Sequence, residues 1–265
     1  MCTMLLFFQV HPQLPLVVAA NRDELYARRS TAVERLSSSP RILGGRDLER
    51  GGTWMGAAEG GFFAGLTNRR SPGPPDATRR SRGELVLGAL HAGSVSGVER
   101  SLAGIDARAY NPFNMVFGDA RSLRIARGLE GEPRIQIEPL APGLHVVDST
   151  SLETPSWKVR RARELAAPLI ERPWFELAPE LHRLLADHTL PGDDELETPP
   201  AWMDRELARH LQAICVHTPA YGTRSATLAA IGGDGVMHYA FAPGPPCVTA
   251  MQDVTRMLSD DPGLS

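Results

Sequence analysis

The sequence contains only three cysteines among 265 residues, Cys2, Cys215 and Cys247. So small and odd a number, without CxxC spacing, argues against a disulfide framework and against a structural zinc site. The histidines supply no metal motif either, since His182 and His188 lie six positions apart and neither HxxxH nor HExxH occurs. We therefore expect a reducing compartment, no metal site and no resident cofactor.

The sequence also lacks an excess of charge of one sign and contains no long apolar runs. Lysine and arginine together number 28 and aspartate and glutamate 31, so the formal net charge is −3, and Lys158 is the only lysine. This balance gives no electrostatic case for a nucleic-acid or membrane-surface partner. No apolar stretch reaches the ~18 residues that span a bilayer, and the one after Met1 is too short for a signal peptide. We expect a cytoplasmic protein with a small-molecule substrate or ligand; the oligomeric state stays open.

The remaining pattern is that of an α+β protein. Two apolar strands joined by a short turn, residues 4–10 and 16–21, predict an N-terminal hairpin. Further hairpins follow along the chain, while the helical segments come in blocks. This order favours two hairpin-built sheets covered by helices over a doubly wound parallel sheet. We expect a single domain over residues 1–251 and a C-terminal tail over residues 252–265.

A cysteine stands directly after the initiator methionine, at the head of the first predicted strand, and "NRDE" closes the second. These two ends are neighbours in an antiparallel hairpin, so Cys2 should lie close to Asn21, Arg22 and Asp23. Removal of Met1 would give Cys2 both a thiol and a free α-amine, whose ordinary pKa of about 7.7–8.0 suits a base. The competing interpretation is a small buried hydrophobe beside a solvated strand end.

Two more polar residues stand at strand ends. Asn68 closes "AGLTN", where its amide could donate to an oxyanion. Arg224 precedes the apolar strand "SATLAAI", where its planar fork could bind a carboxylate or phosphate. In isolation, Asn68 is more typical of an ordinary turn residue and Arg224 of an exposed edge charge. An arginine-rich loop over residues 69–82 offers a place for an anionic substrate tail, or is a solvated surface.

Several motifs occur together and in order. Cys2, "AANRDE", "GGTWMG", "AGLTN", "RGELV", "TPSWKV" and "YGTRSATL" resemble the NRDE family, also called the transport-and-Golgi-organisation protein 2 family. The resemblance runs from Cys2 to about Ile231. It implies the fold of the N-terminal nucleophile hydrolases, a four-layer αββα sandwich of two antiparallel sheets flanked by helices.

The resemblance also implies roles for single residues. Cys2 would be the nucleophile, and Asp23 would orient its α-amine. Asn68 would donate to the oxyanion, and Arg224 would support the nucleophile electrostatically. The residues expected to line the substrate site are Asn21, Arg22, Glu24 and Trp54.

Two departures from the related hydrolases bear on catalysis. Ala20 stands where those enzymes have an arginine, and Asp148-Ser149 stands where the family often keeps Ser-Asn. Two functions therefore remain open. One is a cysteine amidohydrolase or acyltransferase that acts on an amide or thioester bond. The other is noncatalytic binding and trafficking of haem, acyl-CoA or lipid on the same fold, with haem as the ligand that a carrier would hold.

Overall fold

Two antiparallel β-sheets form the centre of the computed structural model, which describes residues 2–71, 73–150, 154–199 and 201–259. The strands are Thr3–Phe8 (β1), Leu16–Leu25 (β2), Ser30–Ser38 (β3), Arg41–Asp47 (β4), Met55–Ala58 (β5), Phe63–Asn68 (β6), Phe113–Gly118 (β7), Leu123–Gly128 (β8), Gln136–Leu140 (β9), Gly143–Val147 (β10), Tyr221–Gly232 (β11), Gly235–Ala242 (β12) and Gln252–Asp253 (β13). The helices are Gly83–Ala92 (α1), Val95–Ala103 (α2), Trp157–Ala166 (α3), Trp174–Leu185 (α4) and Arg205–His210 (α5).

The first sheet has the strand order β10-β1-β2-β11-β12-β13, and the second runs from β3 to β9 in sequence order. The expected N-terminal hairpin is present, with Thr3 opposite Asn21 and Phe8 opposite Leu16. Strand β1 lies inside its sheet, between β2 and β10, and all six of its residues are buried. Burial on both faces explains why its sequence is continuously apolar instead of alternating.

Three apolar layers hold the sheets and helices together. The inner faces of the two sheets meet through residues such as Leu6 and Phe63. The outer face of the first sheet packs against α3 and α4, where Leu177 and Leu181 follow helical spacing. The outer face of the second sheet is covered by α1 and α2, with Leu90 in its core. This order of layers is the αββα sandwich, so the predicted fold class is confirmed.

The residues expected to form a C-terminal tail are partly built into the fold. Strand β13 pairs with β12, and a turn of 3-10 helix at Thr255–Leu258 brings Leu258 into the core between the sheets. Apolar side chains at Val254 and Met257 pack there too, which is why this stretch is ordered. The rest of the expected tail, residues 260–265, lies outside the described residues. Among the helices of the described ranges, none combines the length and apolar character that a bilayer crossing needs.

Two glycines give a matched test of the packing. A Cβ on Gly56, in β5, would lie 2.5 Å from the backbone oxygen of Leu43 and 2.9 Å from Leu90 Cδ1. We expect Gly56→Ala to lower the free energy of unfolding by about 1–3 kcal/mol, because a backbone atom cannot move aside cheaply. Gly88, exposed in α1, has open space around its Cβ position. There Gly88→Ala should raise the free energy by about 0.5–1 kcal/mol. Urea unfolding of both variants measures the two changes in the free energy of unfolding. Changes of the same sign and size would contradict the packing described.

Candidate active site

The strand register fixes the surroundings of Cys2. In β1 and β2, Thr3 lies opposite Asn21, so one step further Cys2 lies opposite Arg22. On the other side, Met4 lies opposite Val147 of β10, which is the last residue pair between these two strands. Side chains alternate along β1, so Cys2 shares the inner face of the sheet with Met4. The predicted proximity of Cys2 to the "NRDE" segment is therefore present in the fold.

The Cys2 thiol is held in its neutral form by its surroundings. It is partly exposed, and its sulfur accepts a hydrogen bond from the backbone N–H of Asp23. Burial raises the pKa of the Cys2 thiol above its ordinary value. The nearby positive charges of the chain's amino terminus and of Arg22 lower that pKa in part, and the Asp23 charge raises it. The net effect is a thiol that needs a neighbouring base to become a nucleophile at neutral pH.

Two arginines direct positive charge at Cys2. The Arg22 guanidinium lies 4.3 Å from the Trp54 ring centroid, is 5% exposed, and leaves Nη1 buried without a hydrogen-bond partner in the described part of the chain. Burial lowers the pKa of Arg22, whereas the Cys2 sulfur, once it is ionised, and the Glu24 carboxylate raise it. Burial also lowers the pKa of Arg82 to about 10, and the same two groups oppose that shift. A buried guanidinium with a spare N–H is suited to an anion or a developing oxyanion.

A small cavity lies beside the thiol. Its volume is about 10 Å³, close to that of one water molecule. The residues that line it include Cys2, Met4, Arg22, Trp54, Met55 and Thr227. Trp54 can stand over the cavity because Gly45 lacks a side chain, whose Cβ would lie 2.1 Å from the indole. The predicted substrate-site residues Arg22 and Trp54 thus share one wall beside Cys2.

Asp23 is fixed by partners from two other elements. Thr223 Oγ1, in β11, donates to Asp23 Oδ1 at 2.6 Å. Lys158 Nζ, in α3, lies 3.6 Å from Asp23 Oδ2, and both side chains are almost fully buried. The Tyr221 hydroxyl donates to the backbone oxygen of Asp23. A buried carboxylate needs such partners, and the chain's single lysine supplies the opposing charge. No motif in the sequence around Lys158 indicates this pairing.

The other two residues of the "NRDE" segment have different surroundings. Asn21 lies on the helix-facing side of β2, where its amide donates to the backbone oxygens of Leu185 at 2.8 Å and Ile214 at 2.9 Å. It thereby joins β2 to the end of α4 and to the segment before β11. Glu24 accepts a hydrogen bond from the Leu25 backbone, and its Oε2 lies 3.7 Å from Arg28 Nη1.

Because side chains alternate along a strand, Asn68 and its neighbour Thr67 lie on opposite faces of the second sheet. Gly65 and Thr67 point between the sheets, since a Cβ on Gly65 would touch Met4. Asn68, the last residue of β6, then points toward the α1 side. The Thr67 hydroxyl donates to the Asp148 backbone oxygen at 2.6 Å, and Asn114 Nδ2, paired across β7, donates to the same oxygen at 3.0 Å. Asn114 is a buried amide in the apolar strand "FNMVFG", a signal that sequence analysis did not use.

Arg224 occupies a β-bulge. The register of β11 against β2 shifts between Thr223 and Ser225, so Arg224 is the extra residue. Its Nη1 donates to the Tyr26 backbone oxygen at 3.3 Å, and the guanidinium lies 5.6 Å from the Tyr26 ring. The bulge thus directs the Arg224 side chain toward Tyr26, the residue that follows the last residue of β2.

A second cavity opens next to Ser149. It has a volume of about 270 Å³ and is lined by Arg69, Arg70, Ser149, Thr150, Thr154 and Glu197. The Arg70 backbone N–H donates to the Ser149 oxygen at 2.9 Å. Asp148, which stands where an amide is expected, uses its carboxylate to accept from Thr150 and from the Ser156 hydroxyl at the start of α3. Part of the predicted arginine-rich loop therefore lies at this second cavity.

Comparison with known sequences finds a family model described as "Transport and Golgi organisation 2", which matches residues 1–240. A transport and Golgi organization protein 2 homolog from Bos taurus is 31% identical over 249 residues, covering 87% of this chain and 89% of the relative. The Homo sapiens homolog is 30% identical over 251 residues with the same coverage. The likeness extends over nearly the whole length of both proteins.

Comparison with solved structures finds N-terminal nucleophile hydrolases. A variant of conjugated bile acid hydrolase from Clostridium perfringens aligns with a TM-score of 0.57 at 10% identity, covering 98% of this chain and 95% of that one. A Caenorhabditis elegans ortholog of N-acylethanolamine-hydrolyzing acid amidase aligns with a TM-score of 0.55 at 12% identity, covering 86% and 92%. At these identities the likeness establishes the fold.

The buried pair beneath the site gives a stability test. Lys158→Met keeps the length of the side chain but removes the charge, which leaves the Asp23 carboxylate buried without its cation. We expect the free energy of unfolding to fall by about 3–5 kcal/mol. The double variant Asp23→Asn, Lys158→Met should recover part of that loss.

The matched control is Arg46→Met, which breaks a pair with Glu34 in which both side chains are 37% exposed. That change should cost no more than about 1 kcal/mol. Chemical unfolding of the four proteins measures the difference. Equal losses in the two single variants would contradict the dependence of Asp23 on Lys158.

Proposed function

This chain belongs to the Transport and Golgi organisation 2 family, and on that premise we propose that it is a cysteine N-terminal nucleophile enzyme, an amidohydrolase or acyltransferase acting on an amide or thioester bond. One observation carries the proposal. Cys2 heads the buried strand β1 at the inner face of the sheet, with Arg22 opposite it across β2. A nucleophile there becomes the first residue of the chain once Met1 is removed.

The proposed first step uses the α-amine of Cys2 as the base. The thiol proton moves to this amine, whose ordinary pKa of about 7.7–8.0 lies below that of a buried thiol. The sulfur then bonds to the acyl carbon, and the bond from that carbon to nitrogen or to the leaving sulfur breaks. The departing group takes the proton from the ammonium. Water or an acceptor amine finally cleaves the thioester and restores the thiol.

The surrounding residues have supporting roles in this scheme. Arg22 offers the spare buried Nη1 to the oxyanion or to a substrate carboxylate, and Trp54 keeps it in place. Asp23, oriented by Thr223 and Lys158, orients the α-amine. The family resemblance assigns the oxyanion amide to Asn68 and electrostatic support to Arg224. In the fold the Asn68 side chain points to the α1 side and the Arg224 guanidinium contacts Tyr26, so the proposal takes Arg22 as the oxyanion donor.

The arginine-lined cavity beside Ser149 points to the substrate class. Arg69 and Arg70 on its wall favour a substrate with an anionic group, which would compete with Glu197 of the same wall for Arg70. The same cavity supports the second candidate, a noncatalytic carrier of an anionic ligand such as acyl-CoA, lipid or haem. A carrier would use the arginines without needing a reactive thiol.

The first test is acyl transfer to water. Protein expressed with its native start should release product from some members of a panel of N-acyl amides and acyl thioesters with anionic groups. Cys2→Ala should lose this turnover by at least about 10³-fold, because the nucleophile is removed. Arg22→Gln should lower kcat by about 10²-fold if its guanidinium stabilises the oxyanion.

A chain with two extra residues before Met1 is the matched control, since it keeps Cys2 and blocks the amine. It should be as inactive as Cys2→Ala. Turnover that survives in either protein would contradict the proposed mechanism. Absence of turnover across the panel, together with acyl-CoA or haem binding unchanged in Cys2→Ala, would favour the carrier.

A further inference from the structure

Two histidines and two cysteines that are scattered in the sequence meet at one point of the fold. His188 follows α4, Cys215 and His217 precede β11, and Cys247 follows β12. One ligand atom from each residue can be chosen so that all four lie within 4.8 Å of one another. We propose that these residues bind one transition-metal ion, with Zn²⁺ as the ion that this donor set fits.

The distances match those of tetrahedral zinc coordination. Ligands at about 2.3 Å for sulfur and about 2.0 Å for nitrogen, under a tetrahedral angle, place two sulfurs about 3.8 Å apart and sulfur and nitrogen about 3.5 Å apart. The Cys215 and Cys247 sulfurs are 3.8 Å apart. His217 Nε2 lies 3.7 Å from the Cys215 sulfur and 3.3 Å from the Cys247 sulfur. Three ligands therefore stand at the corners of a zinc site.

The fourth ligand is oriented by a hydrogen bond. His188 Nδ1 lies 3.0 Å from the backbone oxygen of Cys215, and since a carbonyl only accepts, Nδ1 carries the proton. Nε2 then keeps its lone pair for a metal. A histidine that donates its other N–H to a carbonyl is the usual arrangement at metal centres. The centroids of the His188 and His217 rings lie 5.0 Å apart, and a ring nitrogen of His188 lies within 4.8 Å of the other three ligand atoms.

In such a site the charges of the metal ion and of its protein ligands would cancel. Two cysteines lose their protons to solvent when the metal binds, and the two thiolates with two neutral imidazoles neutralise a divalent cation. Cys215 is 1% exposed, while the two histidines lie at the surface and give an ion a way in. With four protein ligands, the site has no open position for substrate, so its role is structural.

The metal would tie three separate segments together next to Asp23. The backbone of Val216, between two of the ligands, exchanges hydrogen bonds with Thr223, and Thr223 donates to the Asp23 carboxylate. The proposed ion thus fixes the support of Asp23 from the side opposite to Cys2. This inference does not depend on acyl-transfer activity.

The test is the metal content of the full chain, purified without chelators from medium supplied with zinc and under a thiol reductant. Mass spectrometry of the elements should find about one zinc ion per chain. Cys247→Ser and His217→Gln, both away from the buried interior, should lower the content by about tenfold or more. Co²⁺ loaded in place of zinc should give thiolate-to-cobalt absorption bands that Cys247→Ser weakens.

Two variants serve as controls. His182→Gln changes a histidine that bonds to the Thr249 backbone, and Cys2→Ser changes the cysteine outside the cluster; both should keep the full metal content. Circular dichroism checks that each protein is folded. A folded wild type without zinc or cobalt bands would overturn the proposal. So would a zinc content unchanged in Cys247→Ser and His217→Gln.

Discussion

The register between β1 and its two neighbours is the constraint on which the candidate site depends. Thr3 opposite Asn21 and Met4 opposite Val147 together fix β1 between its neighbours and leave Cys2 opposite Arg22. A slip of one residue would turn every side chain of β1 to the other face. Both faces of β1 are buried, one against the second sheet and one against α3 and α4, so a slip would disturb two apolar layers at once. Core packing therefore positions Cys2.

Arg22 and Asp23 are adjacent in β2, and their buried charges lie on opposite faces of the sheet. On the inner face, Arg22 is held against Trp54 with one N–H unused. On the outer face, Asp23 is held by Thr223 and Lys158. Burying these charges is costly, and hydrophobic side chains of similar size would serve stability at least as well. Their presence beside a cysteine whose thiol pKa is raised by burial fits a site that moves protons and stabilises an anion.

Much of this could be predicted from sequence because the relevant contacts are local. A short turn between two apolar strands brings Cys2 and Arg22 together, and the hairpin order indicates antiparallel sheets under helices. Lys158 beside Asp23 could not be predicted, because the contact joins residues 135 positions apart through packing of α3 on the sheet. The face of Asn68 depends on strand alternation, which one added residue reverses. The four residues of the His–Cys cluster show no recognisable metal-site spacing in the sequence, because they come from three segments that lie far apart along the chain.

In the proposed mechanism Cys2 is a nucleophile activated by its own α-amine. The measurement that tests this first is intact mass of the native-start protein before and after brief exposure to limiting iodoacetamide, beside the chain with extra residues before Met1. We expect loss of Met1 and rapid alkylation of Cys2, with slow alkylation in the extended chain because burial raises the thiol pKa there. Retained Met1, or equal alkylation rates at Cys2 in the two proteins, would contradict it.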